Sequence, residues 1–130
     1  MAGYTNVTVY AVDADGDTGV EMTALFTGVD DTNGNKVRNA NGRVLLFFRA
    51  AADASSNLRI DCVPDPYNRE VADGYLETAI GNSELWVLGP YTPRLWNQVA
   101  PVGDVGYLHI DYDTYVPGAG LEVEIVALSL

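Results

Sequence analysis

"LEVEIVALSL", residues 121–130, decides the fold class of this chain. Leu121, Val123, Ile125 and Ala127 fall at alternate positions, with Glu122 and Glu124 between them. A strand sends successive side chains to opposite faces, so this spacing buries the four apolar residues and leaves both glutamates in water. The same period recurs upstream. "GYLHIDYD" (106–113) puts Leu108 and Ile110 on one face and His109 and Asp111 on the other. "SELWVLG" (83–89) follows a Gly81-Asn82 turn, and "YLETAI" (75–80) aligns Leu76, Thr78 and Ile80. "NLRIDCV" (57–63) turns Leu58, Ile60 and Cys62 inward and Arg59 and Asp61 outward. "RVLLFFRA" (43–50) is apolar throughout, the mark of a central strand covered on both faces.

Near the N-terminus the pattern is weaker. "NVTVYAV" (6–12) sets Val7, Val9 and Ala11 on one face. "VEMTALF" (20–26) is poorly patterned and reads as a strand or as a helical or irregular piece. "DDTNGNKVRNANG" (30–42) is rich in Asn, Asp and Gly, hence turns around a short extended piece at Lys36–Arg38. "PDPYNREVADG" (64–74) is a loop whose prolines break any ladder. No stretch sustains a helical stripe. The expectation is an all-β, single-domain antiparallel β-sandwich of jelly-roll or Ig-like form, with little or no helix. One domain spans residues 1–130 and uses the whole chain, with residues 1–5 as an extended N-terminal arm.

Composition agrees. The 130 residues are 48% hydrophobic, with 13 Gly and 6 Pro, which suits one domain with a real core. No apolar run approaches the roughly 20 residues that span a bilayer. The opening "MAGYTNVTVY" lacks the basic and apolar regions of a secretion signal, which points to synthesis in a cytoplasm without export. Eighteen acidic against seven basic residues give a formal charge of −11. Such a surface repels phosphate backbones and anionic lipid, which argues against nucleic-acid and membrane partners.

Few residues suggest chemistry. Cys62 is the only cysteine, so no disulfide and no cysteine-based zinc site can form within the chain; it reads as a small buried hydrophobe. "DADGDTGVE" (13–21) resembles a calcium loop. Asp13, Asp15 and Asp17 hold the first, third and fifth places, but Thr18 stands where the turn glycine belongs and Ala24 where the clamping glutamate belongs. A solvated turn is the simpler reading, with weak calcium binding as the alternative. "HIDYD" (109–113) puts His109, Asp111 and Asp113 on one strand face, in reach of metal or acid–base work, yet with Leu108 and Ile110 opposite them this set is expected on the solvent side. No catalytic residue, metal site or cofactor is assigned. Trp86, Tyr91, Trp96, Tyr107, Tyr112 and Tyr115 suit either sugar stacking or core and interface packing.

"AIGNSELWVLGPYTPRLWNQ" (79–98) carries a family resemblance. A strand ends in Gly89-Pro90-Tyr91, Pro93 follows, and Trp96-Asn97-Gln98 closes the motif. With "NANG" before "RVLLFFRA", and "GYLHIDYD" and "VEIVALSL" after the motif, this order over roughly residues 30–128 resembles the small β-sandwich head decoration proteins, also called auxiliary or cement proteins, encoded beside the major capsid protein in many tailed bacteriophages. The acidic piece at 12–21 and the longer 64–74 loop depart from that pattern. The resemblance implies a non-enzymatic structural virion protein, made in the host bacterial cytoplasm, that binds the major capsid protein on the outside of the phage head. It also implies self-association, a homotrimer at local three-folds being the form it suggests. Contact candidates are Tyr4, Asn6 and Val7 in the arm, Asn33 and Asn35 in the 30–41 loop, and Tyr67 and Arg69 in the 64–74 loop. Gly89, Pro90, Tyr91, Pro93, Trp96, Asn97 and Gln98 read as a structural corner. The alternative function is a carbohydrate-binding or adhesin-like module, or another virion part such as a head fibre or tail protein.

Overall fold

A computed structural model describes residues 3–12, 19–63, 74–99, 101–119 and 122–130. It is an all-β sandwich. One sheet holds β1 (Thr5–Val7), β4 (Asn35–Arg38), β9 (Tyr107–Val116), β6 (Ser55–Asp61) and β7 (Tyr75–Ile80), in that spatial order. The other holds β2 (Val9–Ala11), β10 (Val123–Ser129), β5 (Val44–Ala50) and β8 (Leu85–Leu88), with β3 (Thr27–Gly28) also paired to β10. A short helix, α1 (Pro93–Trp96), and a 3-10 turn, Val102–Asp104, are the helical elements of the described residues.

The core lies between the sheets. Val44, Leu46 and Phe48 of β5 and Val123, Ile125 and Ala127 of β10 meet Leu58 and Ile60 of β6, Leu108 and Ile110 of β9 and Val37 of β4. Each set occupies alternate positions, as the pleat requires. β5 lies between β10 and β8, its Leu45, Phe47 and Arg49 half-buried on the outer face. β10 is buried more fully than its alternation implies: Val126 and Leu128, on the face expected to meet water, are buried too.

Two expectations are corrected. The run 6–12 is two strands in different sheets, because the chain changes sheets at Thr8. Its residues share no face: Val7 is buried, Val9 half-buried and Ala11 exposed. Both pieces pair in parallel, β1 with β4 and β2 with β10, so the sheets are mixed, not purely antiparallel. Residues 20–26 form no strand; Thr23–Leu25 turn and carry the chain toward β3. The extended piece at Lys36–Arg38 is a full interior strand, β4, with Val37 wholly buried. β7 takes its expected place, but as an edge strand it leaves Leu76 44% exposed. Cys62, just beyond β6, is half-buried and packs against the core.

Replacing Phe48, which is fully buried, by alanine is expected to cost about 3–5 kcal/mol of stability in urea unfolding. Leu85→Ala, on the surface, should stay within roughly 0.5 kcal/mol of wild type.

Candidate functional site

The Gly89–Gln98 stretch is a folded corner. Gly89 has φ +103°, a conformation that suits glycine, and a Cβ there would come within 3.0 Å of the Val44 carbonyl. The Gly89–Pro90 peptide is cis. Tyr91 and Trp96 are buried and meet edge to face with centroids 5.4 Å apart; burial pushes the Tyr91 phenol up to about 12. Pro93 sits in the first turn of α1, where a missing N–H costs nothing. Asn39 and Asn97 clasp the corner to the β4–β5 loop. Asn39 Nδ2 donates to the Tyr91 carbonyl at 2.9 Å and to Asn97 Oδ1 at 2.8 Å, while Asn97 Nδ2 donates to the Asn39 carbonyl at 2.8 Å. Gln98 Nε2 donates to the Asp61 carbonyl at 3.3 Å. All seven motif residues are thereby placed around one sandwich end. Asn39, the buried hub of the clasp, was not singled out by the sequence because "NANG" reads only as a turn.

The arm and the 30–41 loop come together, but on the molecule's own sheet edge. Thr5 and Asn6 of β1 register with Asn35 and Lys36 of β4. Asn35 is buried: its Nδ2 donates to the Thr5 carbonyl at 3.1 Å, and its Oδ1 accepts from Asp30 N–H at 3.0 Å and from the Tyr112 hydroxyl at 2.8 Å. Asn33 donates to Asp30 through its backbone N–H at 3.0 Å and its side chain at 3.2 Å. Thr5 Oγ1 also donates to the Asp30 carboxylate, which these bonds, Thr5 foremost, hold below the ordinary carboxylate range. The expected arm is therefore an edge strand from Thr5 onward. Val7 and Asn35 are spent on the fold, while Asn6 remains exposed. Tyr67 and Arg69 lie outside the described residues, as do Asp13–Thr18 of the calcium-like loop.

The "HIDYD" set does not lie bare on the solvent side. His109 is 6% exposed, beneath the Tyr4 ring, which stacks on it at 3.9 Å and 14°. His109 Nε2 lies 2.7 Å from Asp104 Oδ2, and Lys36 Nζ donates to Asp104 Oδ1 at 2.7 Å. The Lys36 bond is the chief reason that the Asp104 carboxyl sits below its ordinary range. The Tyr4 hydroxyl donates to both Asp111 oxygens, at 3.0 and 3.1 Å. Asp61 of β6 hydrogen-bonds this same group, and burial together with the Asp111 charge raises its carboxyl to about 7. Arg59, directly opposite Asp111, is turned to Glu77 at 2.8 Å and Asp113 at 3.1 Å. The arrangement anchors the N-terminal strand through the Tyr4 ring and hydroxyl. No group of three or more His, Cys, Asp or Glu among the described residues is placed to hold a metal ion.

The outer face of the other sheet is of opposite character. Leu45 and Phe47 of β5 and Leu85 and Val87 of β8 share it, since opposed residues in antiparallel strands point the same way. Leu85 is 69% and Val87 55% exposed. Beside them the 22–26 turn leans across Arg49, whose guanidinium lies 4.1 Å from the Phe26 ring centroid. A cleft of about 410 Å³ opens there between Met22, Phe26 and Leu85. Of the six aromatics that could have formed a sugar platform, only Trp86 is exposed, and its Nε1 donates to Glu84 at 3.1 Å. Comparison with known proteins found no matching family model, no matching curated protein and no matching solved structure.

Asp61 sets a pH dependence. Its folded carboxyl holds a proton more tightly than its ordinary value of 3.8 allows, so its contribution to stability is full below about pH 4 and is lost as pH rises toward about 7. Asp61→Asn should flatten the stability profile between those values relative to wild type, as read by urea midpoints. Equal slopes in both proteins would remove this account.

Proposed function

We propose that this chain is a structural virion protein of the head decoration class, which seats on the outside of a phage capsid shell. The observation that carries the reading is the contrast between the two outer faces. One is charged, built from Arg59, Glu77, Asp111 and Asp113; the other presents Leu45, Phe47, Leu85 and Val87 on a chain of net charge −11. An acidic surface keeps the chain soluble, while one apolar face gives an oriented contact with an apolar or basic shell surface. The resemblance of the 79–98 corner and of the strand order around it supports the same reading. A protein that binds only the assembled lattice stabilises that lattice by mass action, with no chemistry required. Sugar binding is less well supported, because Tyr91 and Trp96 are consumed by the corner.

The test is co-sedimentation of the full chain with shells of the major capsid protein encoded beside it, before and after expansion. Saturable binding accompanied by a raised shell melting temperature is expected. Leu85→Asp should weaken that binding about tenfold or more, since it puts a charge at the most exposed apolar side chain of β8 on that face. Absence of binding to both shell forms would overturn the reading.

A further inference from the structure

Among the described strands β8, four residues long, is the last of its sheet, and it lacks most of the devices that protect open edges. Such edges are ordinarily blunted by lysine, proline, a bulge or an inward charge. Leu85–Leu88 has no charge and no proline, pairs with β5 in unbroken register, and leaves Leu85, Trp86 and Val87 exposed. The other edges differ: β7 presents Glu77 bound to Arg59, and β1 and β2 are three residues each.

The direction of the β8 backbone groups follows from two bonds. Ala50 N–H donates to the Glu84 carbonyl at 3.0 Å, and Leu130 N–H donates to the Arg43 carbonyl at 3.1 Å. Backbone groups alternate along a strand, so Val44, Leu46, Phe48 and Ala50 turn theirs toward β8, while Leu45, Phe47 and Arg49 turn theirs toward β10. On β8, Trp86 and Leu88 therefore bond β5. Leu85 and Val87 hold their N–H and C=O outward, along the open edge.

We propose that β8 pairs antiparallel with β8 of a second copy, about a two-fold axis through Trp86, joining the two sheets into one. Register leaves little choice. Opposed residues must share a face, so the axis passes through a residue and not between two. Through Trp86, Leu85 meets the partner's Val87, and Val87 meets the partner's Leu85. The four outward N–H groups then find four outward carbonyls, and Leu and Val adjoin on the apolar face. Glu84 falls opposite the partner's Leu88, away from any like charge. An axis through Val87 sets Leu85 against Gly89, whose φ of +103° has left the strand. An axis through Leu85 reaches Ser83 at φ +62°, which has also left it. The contact runs along the edge, where Leu85 and Val87 of the two copies adjoin, and leaves Leu45 and Phe47 of the apolar face outside the seam. With −11 on each copy, added salt screens the repulsion and tightens the pair.

The test is the solution mass of the full chain by light scattering, across micromolar concentrations and at two salt levels, with no shells present. The mass should rise toward twice 14.0 kDa, more readily in high salt. Val87→Pro removes one outward N–H and leaves the β5 bonds intact, and should weaken association about tenfold or more. Trp86→Asp opposes two carboxylates on the axis at an exposed side chain and should do the same, which keeps the test decisive if the proline variant fails to fold by circular dichroism. A chain that stays monomeric, one that forms trimers, or a dimer indifferent to substitution in a folded variant would overturn the proposal. Capsid co-sedimentation reads separately, so failure of either idea leaves the other standing.

Discussion

The molecule depends on one buried layer, where Leu46 and Phe48 of β5 and Ile125 and Ala127 of β10 meet Leu58 and Ile60 of β6 and Leu108 and Ile110 of β9. These strands come from widely separated parts of the chain, so no local segment can form the layer by itself. A slip of one residue in any of them would turn its apolar row to water and its charged row inward. The register this imposes sets the surface too. Because Ile60 faces Ile110, Arg59 must stand opposite Asp111 and Asp61 beside His109.

That coupling explains what was legible in the sequence and what was not. β6, β9 and β10 were readable because each carries its own period of two, and β5 because it is an apolar run of strand length. Asn6–Val12 misled because alternation reports only that a segment is extended. It does not say which sheet the segment joins, and the change of sheet at Thr8 leaves no mark in residue type. The exposure of His109 was misjudged for a similar reason. Its strand puts it opposite Leu108, but what covers it is Tyr4, more than a hundred positions away. The Asn39–Asn97 clasp was hidden because asparagine in a turn looks the same whether it meets solvent or a distant loop. The corner around Gly89 was easier, since glycine, two prolines and two aromatics in ten residues can hardly serve an ordinary strand.

The two outer faces divide the work of the molecule. On one, Tyr4, Asp61, Asp111, His109, Asp104 and Lys36 settle their charges among themselves and hold the N-terminal strand. On the other, Leu85 and Val87 stand exposed beside the half-buried Leu45 and Phe47. Fold stability explains the first face well. It does not call for the second, which is why the functional reading is placed there.

The parallel pairing of β2 with β10 has a mechanical consequence. Val9, Tyr10 and Ala11 register with Ala127, Leu128 and Ser129, and Val12 N–H donates to the Ser129 carbonyl at 2.9 Å. Tension applied between the two ends of the described chain would draw these strands lengthwise past one another. Their hydrogen bonds would then be loaded in shear and all at once, instead of opening one after another like a zip. β10, the last strand of the described chain, is thus held to β2 by bonds that resist such a pull together.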